Sequence, residues 1–191
     1  MGRIVVSEFV TLDGVMEDPG GAEGFDRGGW ALRFERGPEG DRFKLDETLT
    51  AAALLLGRRT YEGFAQAWPS RTDEAGFADR MNSMPKFVVS STLQAAEWNN
   101  STVIRGDVAG EVSRLRQQID GDILVAGSGR LVNALMQADL VDELRLMVFP
   151  VVLGSGRRLF SDAERATSLR LVESRSVGDG VLILRYHPTA Q

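Results

Sequence analysis

Residues 121–150 read GDILVAGSGRLVNALMQADLVDELRLMVFP, and the class of fold is decided there. The apolar run at residues 123–126 is too short for a helix and reads as a strand buried on both faces. Gly127 and Gly129 follow at once. Leu131, Ala134, Leu135 and Ala138 then recur at intervals of three or four, which places them on one face of a helix. A second strand covers residues 143–149, ahead of Pro150. Strand, glycine turn, helix and strand form a βαβ unit. Glycines there let the backbone approach a ligand, and the helix N-terminus offers free N–H groups and positive dipole to a phosphate. A tight turn between strand and helix also uses glycine without binding anything, so GSG alone leaves both readings open. The longer fingerprint G-x-G-x-x-G fails, because its third glycine falls on Val132 and no acid ends a strand about 20 residues on. An ordinary Rossmann domain is disfavoured.

The chain has 191 residues and no Pro-, Ser- or charge-rich linker divides it, so a single domain over residues 1–191 is expected. A net charge of −5 argues against a broad nucleic-acid-binding face. Absence of cysteine excludes disulfides, thiolate metal sites and a cysteine nucleophile, and a single histidine excludes histidine clusters. No apolar run approaches the roughly 20 residues that span a bilayer. MGRIVVSEFV enters a strand directly and shows no signal-peptide pattern, so no membrane partner and a cytoplasmic location are expected.

In chain order, residues 4–12 read as a strand rich in β-branched residues, with Glu8 its one charged member. Asp13-Gly14 ends it. Asp13 either stabilises that turn or, if the strand is central, borders a ligand at the carboxyl end of the sheet. Residues 17–40 form a long glycine-rich loop with a short helical piece at residues 30–35. Phe25, Trp30 and Phe34 either cover a flat substrate or pack onto the core. Residues 41–51 read as a helix and residues 52–56 as the next buried strand. Tyr61, Phe64, Ala65 and Trp68 then form the apolar face of a helix ending before Pro69. Gly57, Arg58, Arg59 and Thr60 occupy the turn into it. Paired arginines at the positive end of a helix are unfavourable unless an anion sits there, although two solvated arginines cost only tenths of a kcal/mol.

Phe77, Met81 and Met84 mark another helix and residues 86–89 a strand ending at Ser90-Ser91-Thr92, whose hydroxyls either donate to phosphate or cap a turn. Residues 102–104 form a short strand. Asp107 is placed to cap a helix with the stripe Val112, Leu115 and Ile119. After Pro150 the run VVLGSGRRLF carries Arg157 and Arg158. Residues 168–176 and 181–187 read as a hairpin around Gly178-Asp179-Gly180, with His187 at the surface.

Six motifs in this order, TLDG (residues 11–14), LLLGRRTYE (54–62), KFVVSST (86–92), ILVAGSGRLVNAL (123–135), LVDELRL (140–146) and PVVLGSGRRLF (150–160), give the chain a resemblance to the dihydrofolate reductase superfamily. It is most similar to stand-alone proteins like the reductase domain of bifunctional riboflavin-biosynthesis deaminase-reductases. The resemblance implies an α/β fold, with a mostly parallel central sheet flanked by helices and an antiparallel C-terminal hairpin, a homodimer, and NADPH as cofactor. It places the 2′-phosphate at the Gly57–Thr60 turn, on Arg58 and Arg59, and at Ser90 and Ser91. The pyrophosphate falls at Gly127, Ser128, Gly129, Arg130 and Leu131. Asp13 is the candidate for orienting or protonating a small-molecule substrate. That substrate is a pyrimidine of the 5-amino-6-(5-phosphoribosylamino)uracil type, with a non-enzymatic nucleotide-binding protein and a folate reductase as alternatives. The acid that true dihydrofolate reductases carry on their early helix has no counterpart that can be aligned in residues 17–40. The H-x-E and P-C-x-x-C signatures of the zinc deaminase half are absent.

Overall fold

The computed structural model describes residues 1–160 and 166–189. In chain order its strands are β1 (Arg3–Thr11), β2 (Ala53–Gly57), β3 (Lys86–Val89), β4 (Ser101–Ile104), β5 (Asp122–Val125), β6 (Glu143–Phe149), β7 (Leu169–Val177) and β8 (Val181–Pro188). Its helices are α1 (Gly37–Thr50), α2 (Arg58–Ala67), α3 (Phe77–Ser83), α4 (Val108–Gln118) and α5 (Gly129–Gln137). Among the described residues the strands form one sheet in the order β4-β3-β2-β5-β1-β6-β8-β7. Pairing is parallel from β4 to β6, and β8 runs antiparallel to both β6 and β7. This is the mostly parallel α/β sheet with an antiparallel C-terminal hairpin that the motifs imply.

Alternation along the central strands sends apolar side chains to two helical layers. Leu54 and Leu56 of β2 join Tyr61 of α2 and Met81 of α3, whereas Ala53 and Leu55 join Val112 and Leu115 of α4 and Leu131 and Leu135 of α5. Helix α1 starts at Gly37, ahead of the residue 41 start read from periodicity, because Pro38 in its first turn presets a helical φ. The loop aromatics pack inward: Trp30 is fully buried with its ring centroid 5.3 Å from that of Phe149, and Phe25 and Phe34 pack on the same cluster. Asp107 takes the N-cap position of α4 but its side chain makes no capping hydrogen bond.

At the amino end of the sheet, the fully buried Glu143 accepts hydrogen bonds from Arg3 at 2.6 Å and from Arg145 and Arg185 at 2.8 Å each. Burial alone would raise this carboxyl, but the bonds from Arg185 and Arg145 prevail and hold it at about 2. His187, expected at the surface, places Nε2 3.5 Å from Glu143 at the border of this cluster. A groove of about 760 Å³ between α1 and β6, β8 and β7 is lined by Phe43, Glu47, Arg145, Arg175 and Arg185.

Glu8 lies in mid-β1, buried, with Oε1 lacking any hydrogen-bond partner. Burial pushes its carboxyl from 4.5 up to about 8, against the pull of Lys44. The folded chain therefore holds a proton that the unfolded chain has released between those two pH values. Stability from this source is full below the unfolded value and declines as pH rises toward the folded one. Glu8→Gln is predicted to raise stability at pH 8 by on the order of a few kcal/mol and to change it little near pH 4. Urea unfolding across that range checks this, and a variant with the wild-type pH slope would contradict it.

Candidate functional site

Strand β5 lies between β2 and β1. The chain leaves β1 and β2 toward one helical layer and β5 toward the other, so the connections diverge on either side of β5. Ligands of open α/β sheets collect at such a crevice. There the glycine turns touch: the Gly57 N–H donates to the Gly127 carbonyl at 3.0 Å. A Cβ on Gly57 would run into the Ser128 hydroxyl and lie 2.9 Å from its backbone nitrogen. One on Gly127, whose φ is +98°, would sit 2.5 Å from Thr60 Oγ1. Only residues without Cβ allow the N-termini of α2 and α5 to abut in this way.

Both helix ends are uncapped. Gly57 has no side chain, Ser128 makes no side-chain capping bond, and neither first turn carries an acid. First-turn N–H groups have no partner within the helix, so two sets of donors and two positive dipole ends face the same edge. Arg58, Arg59 and Arg130 are exposed beside them. With no acid in either first turn, and Glu62 paired with Arg58 from the next, this edge suits a polyanion.

The third wall is a strap, residues 151–158, laid across the exit of β1. Asp13 holds it. Its Oδ1 accepts from Thr11 Oγ1 at 2.6 Å and from the Leu153 N–H at 3.1 Å, and its Oδ2 accepts from the Gly154 N–H at 2.8 Å. The Thr11 hydroxyl, followed by the backbone N–H groups of Gly154 and Leu153, keeps the carboxyl at about 2, overriding partial burial. At neutral pH Asp13 stands as an ionised acceptor, and it reaches well beyond its own turn.

A loop at residues 17–29 closes over the strap. Glu17 and Glu23 hold the Arg157 guanidinium at 3.0 and 3.3 Å, and Glu17 also accepts the Arg157 N–H at 2.8 Å. Burial, then Asp18, raises the Glu23 carboxyl, with Arg157 and Arg59 opposing. Arg158 donates from Nε to the Asp13 carbonyl at 2.9 Å. Strap and helix meet at Gly129, where an added Cβ would lie 2.8 Å from Met16 Sδ and 3.7 Å from the Arg158 carbonyl. Asn133 ties the same junction, donating to the Gly129 carbonyl at 2.7 Å and the Leu159 carbonyl at 2.8 Å.

Gly57, Arg58, Arg59 and Thr60 thus stand beside Gly127, Ser128, Gly129, Arg130 and Leu131 at one edge. Leu131 is buried, which leaves only its backbone to meet a ligand. Arg58 is paired with Glu62 at 3.0 Å. The Ser90 hydroxyl oxygen accepts from Thr92 N–H at 3.2 Å and Leu93 N–H at 2.9 Å, so it caps a turn, and it lies 3.5 Å from the Thr92 hydroxyl; Ser91 is exposed. Met16, Glu17, Glu23 and Asn133 were not legible as site residues. Asn133 alone carries a local signal, standing one helical turn after Gly129. Among the described residues no group of three or more acids and histidines could hold a metal, and no helix is long and apolar enough to cross a membrane.

Residues 3–183 match the family model described as the RibD C-terminal domain. The uncharacterized protein YyaP of Bacillus subtilis (strain 168) is 29% identical over 188 residues, covering 97% of this chain and 94% of its own. Among solved structures, a diaminohydroxyphosphoribosylaminopyrimidine deaminase/5-amino-6-(5-phosphoribosylamino)uracil reductase from Thermotoga maritima superposes with a TM-score of 0.65 at 15% identity, over 98% of this chain and 57% of that one. Dihydrofolate reductase from Enterococcus faecalis, complexed with NADP(H), superposes with a TM-score of 0.59 at 17% identity, over 98% and 97% of the two chains. At these identities the structural likenesses establish the fold.

Replacing Asp13 by alanine leaves two strap N–H groups without their acceptor, and each lost bond to a charged group is worth about 1.5–3 kcal/mol. The variant is predicted to remain folded but destabilised, with faster amide exchange in residues 151–158. Exchange unchanged in that segment would refute Asp13 as its anchor.

Proposed function

The chain belongs to the RibD C-terminal domain family, and from that premise we propose that it is an NADPH-dependent reductase acting on a small polar substrate. The observation that carries this reading is the abutment of two uncapped, acid-free helix N-termini at Gly57 and Ser128. Bound there, NADPH supplies hydride to a C=N or C=O group. The residues present fit its phosphates. Backbone N–H groups of the Gly127–Leu131 turn bind the pyrophosphate. Arg59 and Ser91, both exposed, join Ser90 and an Arg58 released from Glu62 in holding the 2′-phosphate. Asp13 orients the substrate side through the strap.

The pyrimidine named for the Thermotoga relative, 5-amino-6-(5-phosphoribosylamino)uracil, is the substrate this reading favours. NADPH oxidation against that compound and dihydrofolate separates it from a folate reductase. Tight NADPH binding without oxidation of either would mark a nucleotide-binding protein.

NADPH and NADH differ only in the 2′-phosphate, so wild type should bind NADPH more tightly by roughly ten- to hundredfold per charge-assisted bond. Replacing Arg58 and Arg59 together by alanine should remove most of that difference and leave NADH affinity nearly unchanged. Calorimetric titration of both cofactors against both proteins reads this out; equal wild-type affinities would defeat the assignment.

Gly129→Val should keep the fold, because the flexible end of Met16 can yield to the added side chain. It should abolish NADPH binding by blocking close approach to the turn. A folded variant with wild-type affinity would remove the pyrophosphate from this position.

A further inference from the structure

Resting on the reductase reading above, the geometry points to Arg158, and not its neighbour Arg157, as the residue that grips an oxyanion carried by the substrate. The two arginines are adjacent and similarly exposed, yet their partners differ. Arg157 faces two carboxylates, Glu17 at 3.0 Å and Glu23 at 3.3 Å, while its backbone N–H is held by Glu17 as well. Its charge is already matched, and its work is to clamp the 17–29 loop to the strap. Arg158 is anchored differently: Nε donates to the Asp13 carbonyl at 2.9 Å, and the nearest carboxylate oxygen, on Asp13, lies 3.9 Å from Nη2. That distance is too long for a hydrogen bond. The Asp13 carboxylate is itself engaged by Thr11, Leu153 and Gly154, so it does not depend on Arg158.

Arg158 therefore has a fixed root and outer nitrogens that make no hydrogen bond among the described residues. A guanidinium fork held by Nε alone can present its Nη atoms to phosphate or carboxylate. Its place supports the same role. The strap pairs with the chain leaving β1, through the Val15–Arg158 bridge and the Leu159 N–H donating to the Gly14 carbonyl at 3.0 Å. The Arg158 carbonyl also borders Gly129. Arg158 thus stands between the exit of β1 and the first turn of α5.

The test uses three full-length proteins saturated with NADP⁺, wild type, Arg158→Gln and Arg157→Gln. Each is titrated with 5-amino-6-(5-phosphoribosylamino)uracil, with its dephosphorylated riboside and with dihydrofolate; NADPH affinity is measured separately. If the gripped group is a phosphate, wild type binds the phosphorylated pyrimidine at least about tenfold more tightly than the riboside, and Arg158→Gln abolishes that preference. If it is a carboxylate, Arg158→Gln weakens dihydrofolate by a similar factor. In either case Arg157→Gln keeps the discrimination, and Arg158→Gln binds NADPH within about twofold of wild type. The proposal is overturned if wild type binds none of the three, if discrimination survives in Arg158→Gln, or if that variant loses NADPH instead. Failure of the cofactor reading shows separately, as absent NADPH binding in wild type.

Discussion

The hydrogen bond from the Gly57 N–H to the Gly127 carbonyl is the contact on which the ligand edge depends. It draws the ends of β2 and β5 together beyond their last ladder pair, Leu55 with Val125, and leaves no room for a side chain on either glycine. Because α2 and α5 depart to opposite faces, their axes cannot run together; only their first turns meet. Two positive helix ends are thus adjacent with nothing acidic between them. Such an arrangement is unfavourable in isolation and is relieved by an anion that bridges both.

Charge is distributed unequally along the sheet. At the amino end Glu143, Arg3, Arg145 and Arg185 match one another within hydrogen-bonding distance, and a buried carboxylate left without those partners would cost several kcal/mol. At the carboxyl edge Arg59 and Arg130 are exposed next to first-turn N–H groups that have no partner within their helices, and Arg158 is only half matched. The fold spends its acids on the first region and on the 17–29 loop, where Glu17 and Glu23 occupy Arg157. What remains exposed and positive beside β5 is Arg59 and Arg130, with Arg158 on the strap. The groove against α1 lies among the matched charges at the opposite end.

Much of this was legible in the order of residues, for local reasons. The stretch from residue 121 to 150 declares strand, turn, helix and strand through spacing alone, and β6 ends where its apolar pattern meets Pro150. The glycine turns were visible as turns, and Arg58-Arg59 as charge in the wrong place for a helix dipole. Partners distant in sequence were not. Nothing near Asp13 indicates that its carboxylate serves Leu153 and Gly154, so the sequence offers a turn former or a residue that orients or protonates substrate, and only the fold adds the bonds to the strap. Arg157 and Arg158 are indistinguishable as letters, and only the acids of the loop separate them. Phe25, Trp30 and Phe34 lack periodicity because they pack from an irregular loop, and the contacts of Trp30 and Phe34 with Phe149 follow from tertiary position. Glu8 stood out as the one charge inside β1, but its lack of a hydrogen-bond partner is a property of the assembled sheet.

If the two helix ends act as one phosphate cradle, amide hydrogen exchange of the full chain with and without NADPH shows it most directly. First-turn N–H groups that lack helical partners should exchange quickly in the free protein. NADPH is expected to slow exchange at residues 57–60 and 127–131 together, with a smaller effect from NADH at 57–60. Slowing at only one of the two turns, or protection confined to the groove residues of α1 and β7, would contradict it.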